Sequence, residues 1–357
     1  MSVAGGHPPG GLLLLQPAFL GDVVLATALI ESWHRHHPQD PIRVWVRRGA
    51  EGFFEDHPFV NEVLVWNRSG WGKYLRMATL AKRARRARPE VVVNLHRFAS
   101  MAWVSKVVGA PRNAAFESTP GWGIRVDRHP HEIGDGRHET QRNHALIESW
   151  VGPFDADVDR PRLHPGDRHQ EAASICSEGV VVLAPSSVWA TKRWLIEHWT
   201  GLVDALHAQG EEVVLMGGPS DEGLLRDIAS RAKRSPEVMA GQLNLLGSAA
   251  LMAKAKAVVS NDSAPLHMAG AVGTPVVGVF CSTTPRLGFG VLPGDVAARK
   301  GQNVEVAEAD LSCKPCGLHG HGACPLQHFQ CGSGVQVQDV LRAVTEVSSL
   351  PSAGPLP

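Results

Sequence analysis

The chain has 357 residues, 43% of them apolar, with 35 basic side chains against 35 acidic ones. That length suggests two domains, and the zero net charge excludes a whole-molecule field that would gather nucleic acid, so any basic contact must be local. No run of about 18 apolar residues occurs, which argues against a spanning helix. The run Leu12-Leu13-Leu14-Leu15 has no basic n-region before it and reads as a strand rather than a signal sequence, so the expected location is cytoplasmic.

Short apolar runs then alternate with longer segments of helical period, the βαβ pattern of a parallel sheet covered on both faces. In the first half the strands fall at 12–16, 42–46, 63–66 and 91–95, with helices at about 22–36, 71–88 and 99–109. A stretch at 152–169 rich in Gly, Pro, Asp, Arg and His lacks apolar period and reads as a linker. The pattern restarts with strands at 180–184, 213–216, 257–260 and 276–280 and helices near 195–209, 221–233, 248–255 and 265–272. The simplest reading is two tandem Rossmann-like domains, 1–165 and 170–334. Val335, Val337, Val340, Leu341, Val344 and Val347 suit a closing helix over 335–349, and the Pro/Gly-rich tail 350–357 should be disordered.

Ligands of open parallel sheets bind outside the carboxyl ends of strands, where helix N-termini offer unpaired N–H groups. Each strand-to-helix turn is therefore a candidate. The first places Asp22 after Gly21 at a helix start, as a first-turn carboxylate that suits the dipole or as a general base. The second, 184–194, gathers Ser186, Ser187, Thr191, Lys192 and Arg193, a set that suits a diphosphate and is also compatible with an ordinary polar loop. In the third, Gly217 and Gly218 permit close backbone approach, and Asp221 or Glu222 could accept ribose hydroxyls. The fourth runs Asn261-Asp262-Ser263-Ala264-Pro265; capping explains most of it, while His267 and Gly273-Thr274-Pro275 extend the pattern beyond a cap. Neither a Walker loop nor a complete G-x-G-x-x-G occurs, against an NTPase or an ordinary dehydrogenase.

Taken in order, these turns resemble glycosyltransferase family 9, the heptosyltransferases of the lipopolysaccharide inner core. The resemblance rests on Phe19-Leu20-Gly21-Asp22-Val23-Val24, Thr191-Lys192-Arg193-Trp194 with Trp199, Met216-Gly217-Gly218-Pro219, and the stretch from Val258 through Asn261-Asp262-Ser263-Ala264-Pro265-Leu266-His267 to Gly273-Thr274-Pro275. The strand ending Asn94-Leu95-His96 is similar too, and the likeness spans roughly 11–290. It implies an α/β GT-B fold, an acceptor domain and a donor domain facing across a cleft, and inverting transfer from ADP-heptose to a lipopolysaccharide core or lipid A-type acceptor. Asp22 would deprotonate the acceptor. Lys192, with Ser186, Ser187 and the N–H groups at Ser263 and Ala264, would neutralise the departing diphosphate, with Mg²⁺ as an optional aid. Asp262 would position the donor, His267 would support the loop, and Asp221 or Glu222 would hold the ribose. Two departures bear on the donor: Ala264 stands where the family has glycine, and Phe280-Cys281-Ser282-Thr283-Thr284-Pro285 replaces Phe-Gly-Pro-Thr-Asp-Pro. A family 9 enzyme with another nucleotide sugar, a GT-B epimerase and a silent binding module stand as alternatives. An acceptor-activating Asp22 has no use in the last.

Of six cysteines, Cys176 and Cys281 are isolated, whereas Cys313, Cys316, Cys324 and Cys331 follow C-x2-C-x7-C-x6-C with histidines between. Such a set can supply a tetrahedral zinc site, although the spacing matches no common finger; free thiols or a labile disulfide are the alternative. Five cations over 82–88, reinforced by Lys73 and Arg76, form a solvated helix end or a surface for anionic lipid at the inner face of the inner membrane.

Overall fold

The computed structural model describes residues 10–121, 123–292 and 301–349. The expected disordered tail lies outside them. The chain divides into two compact units, Met1–Glu132 with Glu139–His164, and Ile133–His138 with Pro165–Pro357.

The first unit is a six-stranded sheet: β1 (Leu12–Leu15), β2 (Ile42–Arg47), β3 (Val60–Trp66), β4 (Val91–Asn94), β5 (Arg112–Phe116) and β6 (Asp127–His129). Every neighbouring pair is parallel, in the order β3-β2-β1-β4-β5-β6. The helices are α1 (Leu20–His36), α2 (Lys73–Arg86), α3 (Ala99–Val108), α4 (Glu139–Ala145) and α5 (Glu148–Val151). Both faces of β1 are buried, as a central parallel strand between helix layers requires, and Leu13 and Leu15 meet Trp45, Leu64, Met77, Met101 and Val104 on one side. Gly11 leads into β1 at φ +72°, and a Cβ there would lie 2.0 Å from the Pro41 carbonyl oxygen, so only glycine fits.

The second unit repeats this topology with β7 (Val181–Ala184), β8 (Val213–Gly217), β9 (Glu237–Ala240), β10 (Ala257–Asn261), β11 (Val276–Phe280) and β12 (Gly301–Glu305), all parallel, in the order β12-β11-β10-β7-β8-β9. Its helices are α6 (Asp167–Ala173), α7 (Ile196–Ala208), α8 (Glu222–Arg231), α9 (Leu245–Lys254), α10 (Ala264–Ala271), α11 (Gln330–Ser333) and α12 (Val337–Ser348). The α12 residues Val340, Ala343, Val344 and Val347 are buried in the same core as Trp194, Trp199 and Val277. In each unit the strand order reverses beside the first strand, between β1 and β4 and between β7 and β10, where doubly wound sheets bind ligands.

The 152–169 stretch is not a free linker. Up to His164 it packs on α1: the Arg162 N–H donates to Thr27 Oγ1 at 2.9 Å, and Asp159, 1% exposed, pairs with Arg35. Of its charged residues Asp159 and Arg160 are buried, while Asp155, Asp157, Asp167 and Arg168 face solvent.

Candidate active site

At the switch point of the second unit, β7 and β10 deliver the turns 185–194 and 261–264 side by side. Asn261 is fully buried and fastens the two turns: its Nδ2 donates to the Pro185 carbonyl at 2.6 Å, and its Oδ1 accepts from the Trp194 N–H at 3.0 Å. Ser263 Oγ donates to the Ser186 carbonyl at 3.2 Å, and the Ser187 carbonyl accepts from Arg193 Nε at 2.7 Å. The side chains of Asn261 and Ser263 are thus committed to backbone, and they serve the site by fixing loop shape.

What this frame presents is an ion pair. Lys192 Nζ lies 2.6 Å from Asp262 Oδ2, their side chains 12% and 9% exposed, and Thr283 Oγ1 donates to the same oxygen at 2.6 Å. Thr283 follows β11; being at a third strand end was the signal that could have marked it. The helix α10 begins two residues after Asp262, with Ser263 at its N-cap and Pro265 in its first turn, so unpaired amides and the positive dipole end lie beside the pair. His267, on the first turn of α10, is buried. Burial and the neighbouring His138 hold its pKa down at about 4, against a smaller opposing pull from Asp262, so it is a neutral support. A cation restrained by one carboxylate at a helix start is chemically suited to receive an anion.

The Lys192 turn is braced from outside. Thr191 is buried; it donates to Ser282 Oγ at 3.0 Å, and its backbone N–H and Oγ1 exchange hydrogen bonds with the carbonyl and N–H of His321 at 3.1 and 2.8 Å. Trp189 stacks on His319 with centroids 6.2 Å apart, and a Cβ on Gly320 would lie 2.6 Å from Trp189 Cβ and 3.0 Å from Lys192 Cγ. The segment 319–321 is thus a strap across the 189–192 turn, and in the sequence its only mark is histidines between the cysteines.

Gly217, Gly218, Asp221 and Glu222 come after β8. Asp221 Oδ2 accepts from the Gly218 N–H at 2.8 Å, and a Cβ on Gly217 would lie 2.9 Å from Asp221 Cβ, so glycine is required here by the local turn. Glu222 is exposed and pairs with Arg226 at 2.8 Å one turn on.

In the first unit Asp22 is the third residue of α1, and its Oδ2 accepts from the Phe19 N–H at 3.1 Å, closing the helix start. Beside Leu20 opens a pocket of about 510 Å³ lined by Arg47, Arg48, Arg68 and Trp66, from the ends of β2 and β3. Burial, reinforced by Arg68 and opposed by Asp22, lowers the Arg47 pKa, which places these charges within mutual electrostatic reach. His96, after β4, is pushed down to about 4 by burial, then by Arg68 and Arg97. His96 ends the strand that resembles the family's, whereas Arg47 and Arg68 carry no signal in the sequence, because an arginine at a strand end has no distinctive spacing.

The cysteines are free thiols among the described residues. Cys331 is buried in the core with Cys313 packed against it, and Cys313 Sγ approaches His328 Nε2 to 3.9 Å. Backbone N–H groups, led by that of Phe329, lower the Cys324 pKa, whereas burial raises that of Cys331 to about 11. The four sulfurs do not close to within 4.8 Å of one another.

The family model for glycosyltransferase family 9 (heptosyltransferase) matches residues 77–315. A lipopolysaccharide core heptosyltransferase of Haemophilus influenzae is 24% identical over 288 residues, covering 78% of this chain and 80% of its own. The structure of an Escherichia coli ADP-heptose lipopolysaccharide heptosyltransferase II superposes with a TM-score of 0.75 at 19% identity, covering 95% of this chain and 98% of that one. A family 9 glycosyltransferase from Veillonella parvula gives 0.81 at 18% identity, with 97% and 99% covered. The fold is GT-B, built of the two parallel six-stranded units described above. The chain, matched over two thirds of its length, belongs to glycosyltransferase family 9, the heptosyltransferases, and is a transferase enzyme.

Proposed function

We propose that this enzyme moves heptose from ADP-heptose to a lipopolysaccharide inner-core or related glycolipid acceptor, with inversion at the anomeric carbon. The second unit binds the donor and the first the acceptor. The Lys192–Asp262 pair at the switch point of the second unit carries this reading, since it sets one restrained cation against a helix start, where a diphosphate is favoured. On donor binding the diphosphate takes over the Lys192 ammonium. Asp262, released in part, turns with Thr283 to the sugar or its phosphates. Ser186, Ser187 and the amides at Ser263 and Ala264 complete the cradle, with Thr191, Asn261 and His267 holding it in shape. Gly217 and Gly218 leave room for the nucleotide, and Asp221 or Glu222 accepts from its ribose.

Asp22 is the general base. It removes the acceptor hydroxyl proton as oxygen attacks the anomeric carbon and the carbon–oxygen bond to ADP breaks; ADP leaves as an anion and needs no general acid. The arginine pocket beside Leu20 suits a carboxylate or phosphate of the acceptor. Charge for the diphosphate comes from Lys192 and backbone amides, with Mg²⁺ an accessory that an assay with and without chelator tests.

An amphiphilic acceptor suits an enzyme that works at the cytoplasmic face of the inner membrane. No described helix is long and apolar enough to cross a bilayer. Trp71, Tyr74 and Leu75 are exposed at the start of α2, which carries Lys73, Arg76, Lys82, Arg85 and Arg86 along its length, a pairing of aromatic and basic groups that suits a lipid headgroup layer. Transfer of a heptose mass from ADP-heptose to a truncated lipopolysaccharide tests the function.

A further inference from the structure

Away from the strand ends that form the active site, three side chains from separate segments of the first unit converge. Glu31 lies on α1, His57 follows the 3-10 turn Glu51–Phe54, and His164 is the last residue of the unit. Glu31 Oε1 is 2.8 Å from His164 Nε2 and 3.6 Å from His57 Nε2, and the three ligand atoms lie within 4.8 Å of one another, the one such group among the described residues. The His57 side chain is wholly buried, and its Nε2 faces Glu31 without a hydrogen-bond partner. Phe54 and Phe59 flank its ring with centroids 6.0 and 5.8 Å away.

Buried polar atoms are normally satisfied, so an orphaned imidazole nitrogen facing a carboxylate and a second imidazole needs a reason. Two imidazoles and one carboxylate are the donor set of open zinc sites, where bonds near 2.05 Å place tetrahedral ligand atoms roughly 3.3 Å apart. The Glu31–His57 separation of 3.6 Å already approaches that, and His164 need retreat from Glu31 by only about 0.5 Å. His164 is 28% exposed, so water reaches the fourth position.

We propose that Glu31, His57 and His164 bind a divalent first-row ion of the zinc class, with water as fourth ligand, clipping the helix that carries Asp22 to the segment that ends the first unit. The His57 side chain is seated for this by geometry, its ring wholly buried beside Phe54 and Phe59 with Nε2 turned to Glu31. Its Nδ1 accepts a long hydrogen bond, 3.3 Å, from the Phe59 N–H. Metal at Nε2 puts the ring proton on Nδ1, opposite the Phe59 N–H, so metal binding requires that backbone N–H to turn away.

Cobalt(II) titration of the full-length, metal-stripped enzyme separates this site from the cysteines, because thiolate ligation gives intense near-ultraviolet charge-transfer bands and nitrogen–oxygen ligation gives only visible d–d bands. The site predicts one equivalent bound with d–d bands alone, weakened at least tenfold in both His164→Ala and Glu31→Gln, whose metal-free melting stays near that of the parent. Stoichiometric binding should also raise the melting temperature of the parent and not of the variants. Failure to bind one equivalent, binding that survives both substitutions, or thiolate bands as the sole signal overturns the assignment.

Discussion

Lys192 Nζ and Thr283 Oγ1 meet on one oxygen of Asp262, each at 2.6 Å, so the ion pair at the end of β10 is shared between the ends of three strands. Because this pair is nearly dehydrated, its charge acts in a low dielectric. Lys192→Ala should lower kcat by about 10²–10³-fold, the range for removing one preorganised stabiliser of developing charge. Lys192→Arg should recover part of it. Steady-state kinetics check this, and equal activity in the alanine variant removes Lys192 from the reaction.

Asp22 has a structural duty as well as the proposed chemical one, since it closes the start of α1 through the Phe19 N–H. Asp22→Asn keeps that acceptor while removing the base, so it should melt near the parent and bind ADP normally, yet lose about 10²–10⁴-fold in turnover. Calorimetry with ADP beside the transfer assay distinguishes this from unfolding, which would abolish both.

The strap predicts an effect at a residue that touches no substrate. A methyl at Gly320 would meet Trp189 and Lys192 at 2.6 and 3.0 Å, so Gly320→Ala should push the 189–192 turn outward. The expected signature is a raised KM for the donor with an unchanged KM for the acceptor. A purely structural glycine would lower stability without that split.

Stability should fall on mild acidification. His96 and His267 have folded pKa values near 4 against an unfolded value of 6.5, so between those limits the unfolded chain holds more protons and stability rises with pH. The slope is at most about 1.4 kcal/mol per pH unit for each histidine, and it vanishes above pH 6.5. Urea melts from pH 4 to 8 test this, and His267→Gln should flatten the slope by about one proton's share.

For the proposed lipid contact of α2, Trp71→Ser with Leu75→Ser should weaken sedimentation with vesicles containing anionic lipid while leaving neutral vesicles unbound in both proteins. Charge reversal at Lys82, Arg85 and Arg86 should do the same and should steepen with falling salt. Unchanged binding in both variants makes α2 an ordinary solvated helix.

Much of this was legible because central parallel strands announce themselves. Leu12–Leu15, Val91–Asn94 and Val181–Ala184 are buried on both faces and so are continuous apolar runs between helices. Two of the outer strands were not: Asp127–His129 and Gly301–Glu305 are largely polar, since an edge needs only backbone partners on one side. The candidate residues can be picked from the sequence because strand ends are fixed points of the fold, but which of them the fold itself uses is not readable there. Asn261 and Thr191 look like ligand contacts in sequence, and only packing shows their polar atoms already committed to Pro185, Trp194, Ser282 and His321. Strap and arginine pocket escaped because they join residues far apart in sequence.

The central claim is heptose transfer dependent on Asp22, and mass spectrometry tests it most directly. The enzyme is incubated with ADP-heptose and, in parallel, with other nucleotide sugars, against truncated lipopolysaccharide acceptors. The account predicts an acceptor gaining one heptose from ADP-heptose alone, and none with Asp22→Ala despite intact ADP binding. Transfer from a different nucleotide sugar in preference, or undiminished transfer by the Asp22 variant, would contradict it.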